Sequence, residues 1–533
     1  MERKKKAYNF LCLIIFILFF GELKADNDNK IPDKSYEMHI YFQSKGLQSL
    51  YCDDNIKFFE TDNINFYRIK EDGTKININS LLRKDSSSYY CRSLIKYNVN
   101  SVNEKIIIEF KNNPQTLKKL FSGSSIYKIE RFDYPFPIDE NNYNEMFYQC
   151  TELTYVDFNN FSFENTKDVS SMFNNCKKLE TVIFPKNSKS SYVENFMRMF
   201  AHAESLTSID LTYFSFINTK NMAYMFNGCK NLGYIIFPKN ETAENLLLLN
   251  NMFDGCLNLI SVDLSYFSFK NVESMAYMFN DCNRLSILIL PKENNKSNAL
   301  QNVENMFYDC KELTSIDLSG ISLINVKDLS YMFYGCSNLE TLILPSNEKA
   351  INVVDFSFMF YECGKLTSID LSNISFVNAT KLPFMFFNCS NLINIKFPTE
   401  EKAINIIDFQ GMFFYCQNLT SIDLSNFSFE KAKDISGLFL YCSNLENIIL
   451  PKNEIASNIE DISFMFTACN KLRTIDLSGI SLTNVKDISY IFTYCTSLES
   501  IIFANDESIN KIEKMSYAFS NCYKLKSIDL SKF

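Results

Sequence analysis

Cysteine is the residue type with the most chemistry to offer in this 533-residue chain: there are seventeen, and fourteen hold one place in a repeated frame, from Cys150 to Cys522. Thiols so placed have three uses. Paired, they would form disulfides, and neighbouring rungs of a stack are close enough for Cα geometry to permit it. As zinc ligands they would cluster two to four residues apart, whereas these are about 26 residues apart. Unpaired, they pack as small apolar side chains, and cysteine is among the most buried residue types. Ala203 takes the same place once, which favours packing. Stacked disulfides and a metal site stand as the alternatives. Cys52 and Cys91 are the only cysteines between residues 26 and 119. In a secreted segment they are a candidate disulfide, with two unpaired buried thiols as the other reading.

Carboxylates recur too, at Asp157, Asp210, Asp263, Asp317, Asp370, Asp423, Asp476 and Asp529. Between them, in the same frame, fall Ile183, Ile236, Ile289, Ile343 and Ile449, with Lys396 as an exception and Ile502 as a copy lacking the proline that follows the others. If the two series alternate, successive aspartates stand about 10 Å apart, twice a strand spacing. Calcium needs several oxygens at about 2.3–2.6 Å, so no two of them share an ion. One reading has each aspartate accept bonds from Ser and Thr hydroxyls on neighbouring rungs. The other is a striped surface of carboxylates and exposed isoleucines, an apolar strip with polar rims of the kind that marks an interaction face. Glu180, Glu340, Glu446 and Glu499 add acid there, which suits a basic protein partner. His39 and His202 are the only histidines and have no repeated acid or serine beside them. No Gly-rich phosphate loop appears either, so no enzyme, metal or cofactor is expected.

The elements that position these residues follow from the period. Met-Phe-x-x-Cys-x-x-Leu begins at Met146, Met172, Met199 and onward to Met465, with weaker copies at Leu438, Ile491 and Ala518, and successive starts are 26 or 27 residues apart with one gap of 28. Such a period signals a solenoid, each unit burying its apolar face against its neighbours. Apolar positions in Met275-x-x-Met278-Phe279-x-x-Cys282-x-x-Leu285 fall at three- and four-residue steps, so a short helix is expected in every coil. Leu-x-x-Ile-x-Leu follows, as in Leu206–Leu211, and reads as one short parallel strand. Aspartate-bearing and proline-ended coils alternate, making the true unit a pair of about 53 residues. The repeated Phe-Ser-Phe, as at Phe214–Phe216, fills the coil interior or offers an aromatic platform. The expected fold is an α/β solenoid of about fifteen coils over 120–533, behind a small β-rich N-terminal cap over 26–119.

Residues 1–25 read as a signal peptide: Arg3 to Lys6, an apolar run from Phe10 to Phe20, then Gly21 and Ala25. The run is too short for a comfortable span, so no membrane span is expected in the mature chain. A net charge of −9 argues against nucleic acid or an anionic membrane as the main partner.

With Asn271-Val-x-x-Met275 before it and Ile-Asp-Leu-Ser after it, the repeat resembles that of the BspA-like leucine-rich-repeat surface proteins, over about Leu120 to Phe533. The resemblance implies a secreted or surface-displayed leucine-rich-repeat array, used in adhesion and in binding protein ligands on host cells or matrix. It brings no catalytic residues. The alternative is a structural element that self-associates through its C-terminal edge, where the strand Leu525–Leu530 has no polar coil after it.

Overall fold

The computed structural model describes residues 36–528 except 44, 53–63, 86–93, 102–103, 111–116, 133–141, 187–189, 240–242, 293–297, 347–348, 453–455 and 506–510. How a coil is built shows in the segment Met275–Leu285. The N–H groups of Met278, Asn280, Cys282 and Leu285 donate to carbonyls three residues back, at 3.0–3.2 Å. Those of Met275, Tyr277, Phe279 and Asp281 donate instead to Asn302, Glu304, Met306 and Tyr308 of the next coil, at 2.8–2.9 Å. Tyr277 and Asp281 have φ of 56° and 57°, left-handed geometry that breaks a helical run. It costs a residue with a side chain roughly 1–2 kcal/mol.

The expected helix in each coil is therefore absent, and the α/β assignment is corrected to an all-β one. Among the described residues the one helical element is a 3-10 turn, Asn79–Leu81. The reason lies in the donors. An α-helix would use its interior N–H groups within its own coil, whereas here every second one ties a coil to the next. The result is a β-solenoid of about 14 turns.

Its parallel strands are three or four residues long. They are β9 (Tyr155–Asp157), β10 (Thr181–Ile183), β11 (Ser208–Asp210), β12 (Tyr234–Ile236), β13 (Ser261–Asp263), β14 (Ile287–Ile289) and β15 (Ser315–Asp317). After these come β16 (Thr341–Ile343), β17 (Ser368–Asp370), β18 (Asn394–Lys396), β19 (Ser421–Asp423), β20 (Asn447–Ile449), β21 (Thr474–Leu477) and β22 (Ser500–Phe503). From β11 onward the ladders are two-stranded, β11 with β12, β13 with β14 and so on. The 53-residue pair seen in the sequence is thus also the unit of strand pairing. Between pairs the bonding moves past the strand: Ala243 N donates to Tyr266 O and Ser268 N to Ala243 O, and the same bridge recurs at Ala350, Ala403 and Ala456.

Eight further strands precede the coils: β1 (Tyr36–Tyr41), β2 (Gly46–Cys52), β3 (Ile64–Ile69), β4 (Lys75–Asn77), β5 (Arg83–Asp85), β6 (Leu94–Val99), β7 (Lys105–Phe110) and β8 (Lys128–Phe132). β8 pairs antiparallel with β1 and parallel with β9, so one seven-stranded sheet continues from the N-terminal strands into the first coils. The core is columnar. Phe121, Phe147, Phe173 and Phe200 begin a stack that reaches Phe519, with centroids 5.1–5.9 Å apart and planes within 18°. The Phe-Ser-Phe rings, including Phe214, Phe216, Phe427 and Phe429, are buried, which removes the aromatic-platform reading.

Candidate ligand-binding face

Each repeat thiol has a defined partner. Cys282 Sγ donates to the carbonyl of Phe253, one coil back, and all fourteen cysteines make the equivalent bond to a phenylalanine carbonyl at 2.9–3.2 Å. That carbonyl also accepts the N–H of its own coil's cysteine, so both of its lone pairs are used. The thiols are free, and all are buried except the half-buried Cys522. Burial pushes the thiols from Cys176 to Cys522 up, Cys229 to about 12, so the nucleophilic thiolate is suppressed there. These are packing groups, not a site. Cys91 lies outside the described residues, and with it the Cys52 pairing; residues 1–25 and Asp529 lie outside them as well.

The outer face of the strands gathers the aspartate and isoleucine rows. In Ser-Ile-Asp the middle residue is buried and the outer two exposed, as the two-residue alternation of a strand requires. Partners in register are Asp157 with Ile183, Asp210 with Ile236, Asp263 with Ile289, Asp317 with Ile343 and Asp423 with Ile449. Asp370 faces Lys396, and Asp476 faces Ile502. Ile236, Ile289, Ile343 and Ile449 are 45–50% exposed, while Ile183 is half-buried.

The hydroxyl partners of the aspartates are not on neighbouring rungs. Asp210 Oδ1 accepts Thr212 N (2.9 Å) and Oγ1 (2.7 Å), two residues along the same coil. Asp157, Asp263, Asp317, Asp370, Asp423 and Asp476 hold the same Asx turn through the N–H two residues on. The sequence signal was Asp-Leu-Ser itself, an Asx-turn pattern. Each aspartate keeps Oδ2 for another partner. Asp370 gives it to Lys396 and Asp476 to Lys452, both at 2.8 Å. Among the described residues, Asp157, Asp210, Asp263, Asp317 and Asp423 have no cation within ion-pair distance.

On the turn side, a row that sequence reasoning missed joins Tyr308, Tyr334, Tyr361 and Phe387, stacked at 4.2–4.6 Å. Each follows a Met-Phe pair directly, which was legible. Their faces cover one another, so only edges point outward. Among the described residues no group of three or more His, Cys, Asp or Glu is placed to hold a metal ion, and no helix is long and apolar enough to cross a membrane.

Short parallel strands stacked at a 26-residue period, with leucines inward and a polar–apolar outer face, define a leucine-rich-repeat solenoid. Comparison with known families is specific. The model described as "Mycoplasma protein of unknown function, DUF285" matches residues 141–244, 239–319 and 407–533, more than half of the chain. That for the "BspA type Leucine rich repeat region" matches 303–436 in six copies. The chain belongs to the BspA-like leucine-rich-repeat family. This is consistent with a protein-interaction role, and neither description names a reaction. No curated protein matches the chain.

Among solved structures, the chain is similar to a leucine-rich repeat protein from Bacteroides ovatus, at 20% identity over 83% of this chain and 98% of that one, with a TM-score of 0.47. A leucine-rich repeat protein from Eubacterium ventriosum shares 15% identity over 62% and 86%, TM-score 0.29. The Toll–Spatzle complex of Drosophila shares 16% over 68% and 52%, TM-score 0.25.

Proposed function

We propose that the chain is a secreted or surface-displayed adhesion protein whose strand face binds a protein ligand on a host cell or matrix. Residues 1–25 serve as its signal peptide, and residues 26–119 cap the first coil of the solenoid at 120–533. One observation supports the reading above the others: the in-register pairing of an unneutralised carboxylate with a half-exposed isoleucine at Asp210–Ile236, Asp263–Ile289 and Asp317–Ile343. A single exposed isoleucine is ordinary. A row of them, each beside a carboxylate, makes a ribbed surface suited to a partner that offers apolar side chains and cations together.

The test is capture of surface proteins by the full chain, compared with a chain carrying Ile236→Lys, Ile289→Lys and Ile343→Lys. Capture is expected to fall at least tenfold with the circular dichroism spectrum unchanged. Undiminished capture by the folded variant would rule the face out.

A further inference from the structure

The strand face is not uniform along the solenoid, and β13 is where it differs most. In coil order each odd strand is flanked by the outward first and third residues of the even strands before and after it. Around β13 these are Tyr234, Ile236, Ile287 and Ile289, all large and apolar and 45–56% exposed. Every other odd strand from β11 to β21 has a small or polar residue at one or more of the four places, such as Thr181 beside β11 and Thr341 beside β15. The burial of the odd strand follows. Ser261 and Asp263 of β13 are half-buried, whereas the serine and aspartate of β11, β15, β17 and β19 are exposed. Two short residues between four large ones leave a cleft of about 300 Å³, bordered by Ile236, Lys239, Asp263, Tyr266, Ile287 and Ile289.

Asp263 is the acid of this cleft, and one of its oxygens is committed. Oδ1 accepts both Ser265 N (3.0 Å) and Ser265 Oγ (2.7 Å), which uses its two lone pairs. Oδ2 is bonded to no cation among the described residues. Elsewhere the same chain shows what an Oδ2 so placed takes. Asp370 and Asp476 hold the same turn, and each gives Oδ2 to a lysine ammonium at 2.8 Å. Lys396 comes from the following strand, at the place that Ile289 holds beside Asp263. Lys452 comes from the preceding coil, at the place that Lys239 holds, yet Lys239 forms no ion pair with Asp263.

We propose that the β13 cleft takes one lysine side chain of the protein ligand, its methylene stem against Ile236, Ile287 and Ile289 and its ammonium on Asp263 Oδ2. The proposal rests on the reading of this face as a protein-binding surface and names the side chain that anchors the partner there.

The chemistry of the cleft disfavours the other occupants in turn. A purely apolar side chain would cover Asp263 and offer it nothing, and taking a carboxylate from water without a partner is costly. An acidic side chain would meet that carboxylate as a like charge. Arginine recognises a carboxylate best through both oxygens at once, and here Oδ1 is already taken. Lysine joins a stem that packs along apolar surface to a compact charge at its tip. Half-burial strengthens the contact. Ion pairs between exposed groups add little, whereas partly buried ones are screened less by salt. Lys239 brings a like charge to the border of the cleft, but it is exposed, so water and salt screen it.

The experiment is ligand-observed saturation-transfer NMR on the full chain, giving Kd for N-acetyl-lysine methylamide and for its norleucine counterpart, which keeps the stem and lacks the charge. The lysine compound is expected to bind at least fivefold more tightly. Asp263→Asn, whose amide oxygen can still hold the turn, should remove that preference. Ile289→Lys, which sets a lysine in register with Asp263 as Lys396 is with Asp370, should fill the site from within and remove it too. Ile343→Lys, which does the same at Asp317 outside the cleft, should leave the preference intact. Equal affinities for the two compounds, or an equal loss from Ile343→Lys, would overturn the proposal. If lysine shows no preference while the triple Ile→Lys variant still loses capture of surface proteins, the face stands and this anchor falls; if capture survives in that variant, the face falls and the anchor with it.

Discussion

Lys396 stands where the other even coils carry isoleucine, in register with Asp370, and its Nζ lies 2.8 Å from Asp370 Oδ2. The pair interrupts the apolar row and neutralises one carboxylate of the acidic row at the same point. Lys452 likewise neutralises Asp476, and among the described residues the stretch from β9 to β16 is left as a run in which every odd-strand aspartate is unneutralised.

Asp370 ties this geometry to pH. Burial pushes its carboxyl up, but the bonds from Lys396 and from Ser372 outweigh it and hold the group at about 2, below the ordinary 3.8. A depressed folded value stabilises the fold above the unfolded value, and that contribution disappears as pH falls from about 4 to about 2. Both partners are largely exposed, so screening limits it to a few tenths of a kcal/mol. Lys396→Ile is expected to lower the urea midpoint slightly at pH 6 and to match the parent at pH 2. A difference that persists at pH 2 would mean the ion pair is not its source.

The thiol column predicts a labelling pattern. With Cys12, Cys52 and Cys91 replaced by serine, the native chain should react with a thiol reagent at one cysteine quickly, the half-buried Cys522, and at the other thirteen only on unfolding. Cys282→Ala should cost about 1–2 kcal/mol, from lost packing and the lost bond to Phe253 O. Rapid labelling of several native thiols would contradict their place in the core.

Gly228 offers a cleaner energetic test. Its φ is +70°, and an added Cβ would meet His202 Nδ1 at 2.4 Å. Gly228→Ala should cost about 2–3 kcal/mol, combining left-handed strain with that clash. Adding His202→Ala should recover the steric part and leave about 1–2 kcal/mol of strain. A double variant no more stable than Gly228→Ala would show that the imidazole is not the obstacle.

The period, the strand positions and the pairing of coils were legible because each rests on side chains repeated in one frame. The helix was misread because apolar steps of three and four residues suit two successive turns as well as one helical face. A usable signal lay just before the cysteine, where Asn175, Gly228, Gly255, Asp281, Gly335 and Asn388 supply residues that accept a positive φ. The close seat of two coils on the preceding proline was not legible: it depends on Gly320 against Pro291 and Gly479 against Pro451, a contact whose meaning appears only once the coils are stacked.

Partner capture by paired variants tests the account most directly. Ile236→Lys, Ile289→Lys and Ile343→Lys together should reduce capture of surface proteins at least tenfold, while Tyr334→Lys on the turn side should leave it intact, both chains remaining folded. Retained capture by the triple variant, or an equal loss in the turn-side variant, would contradict the assignment of binding to the strand face.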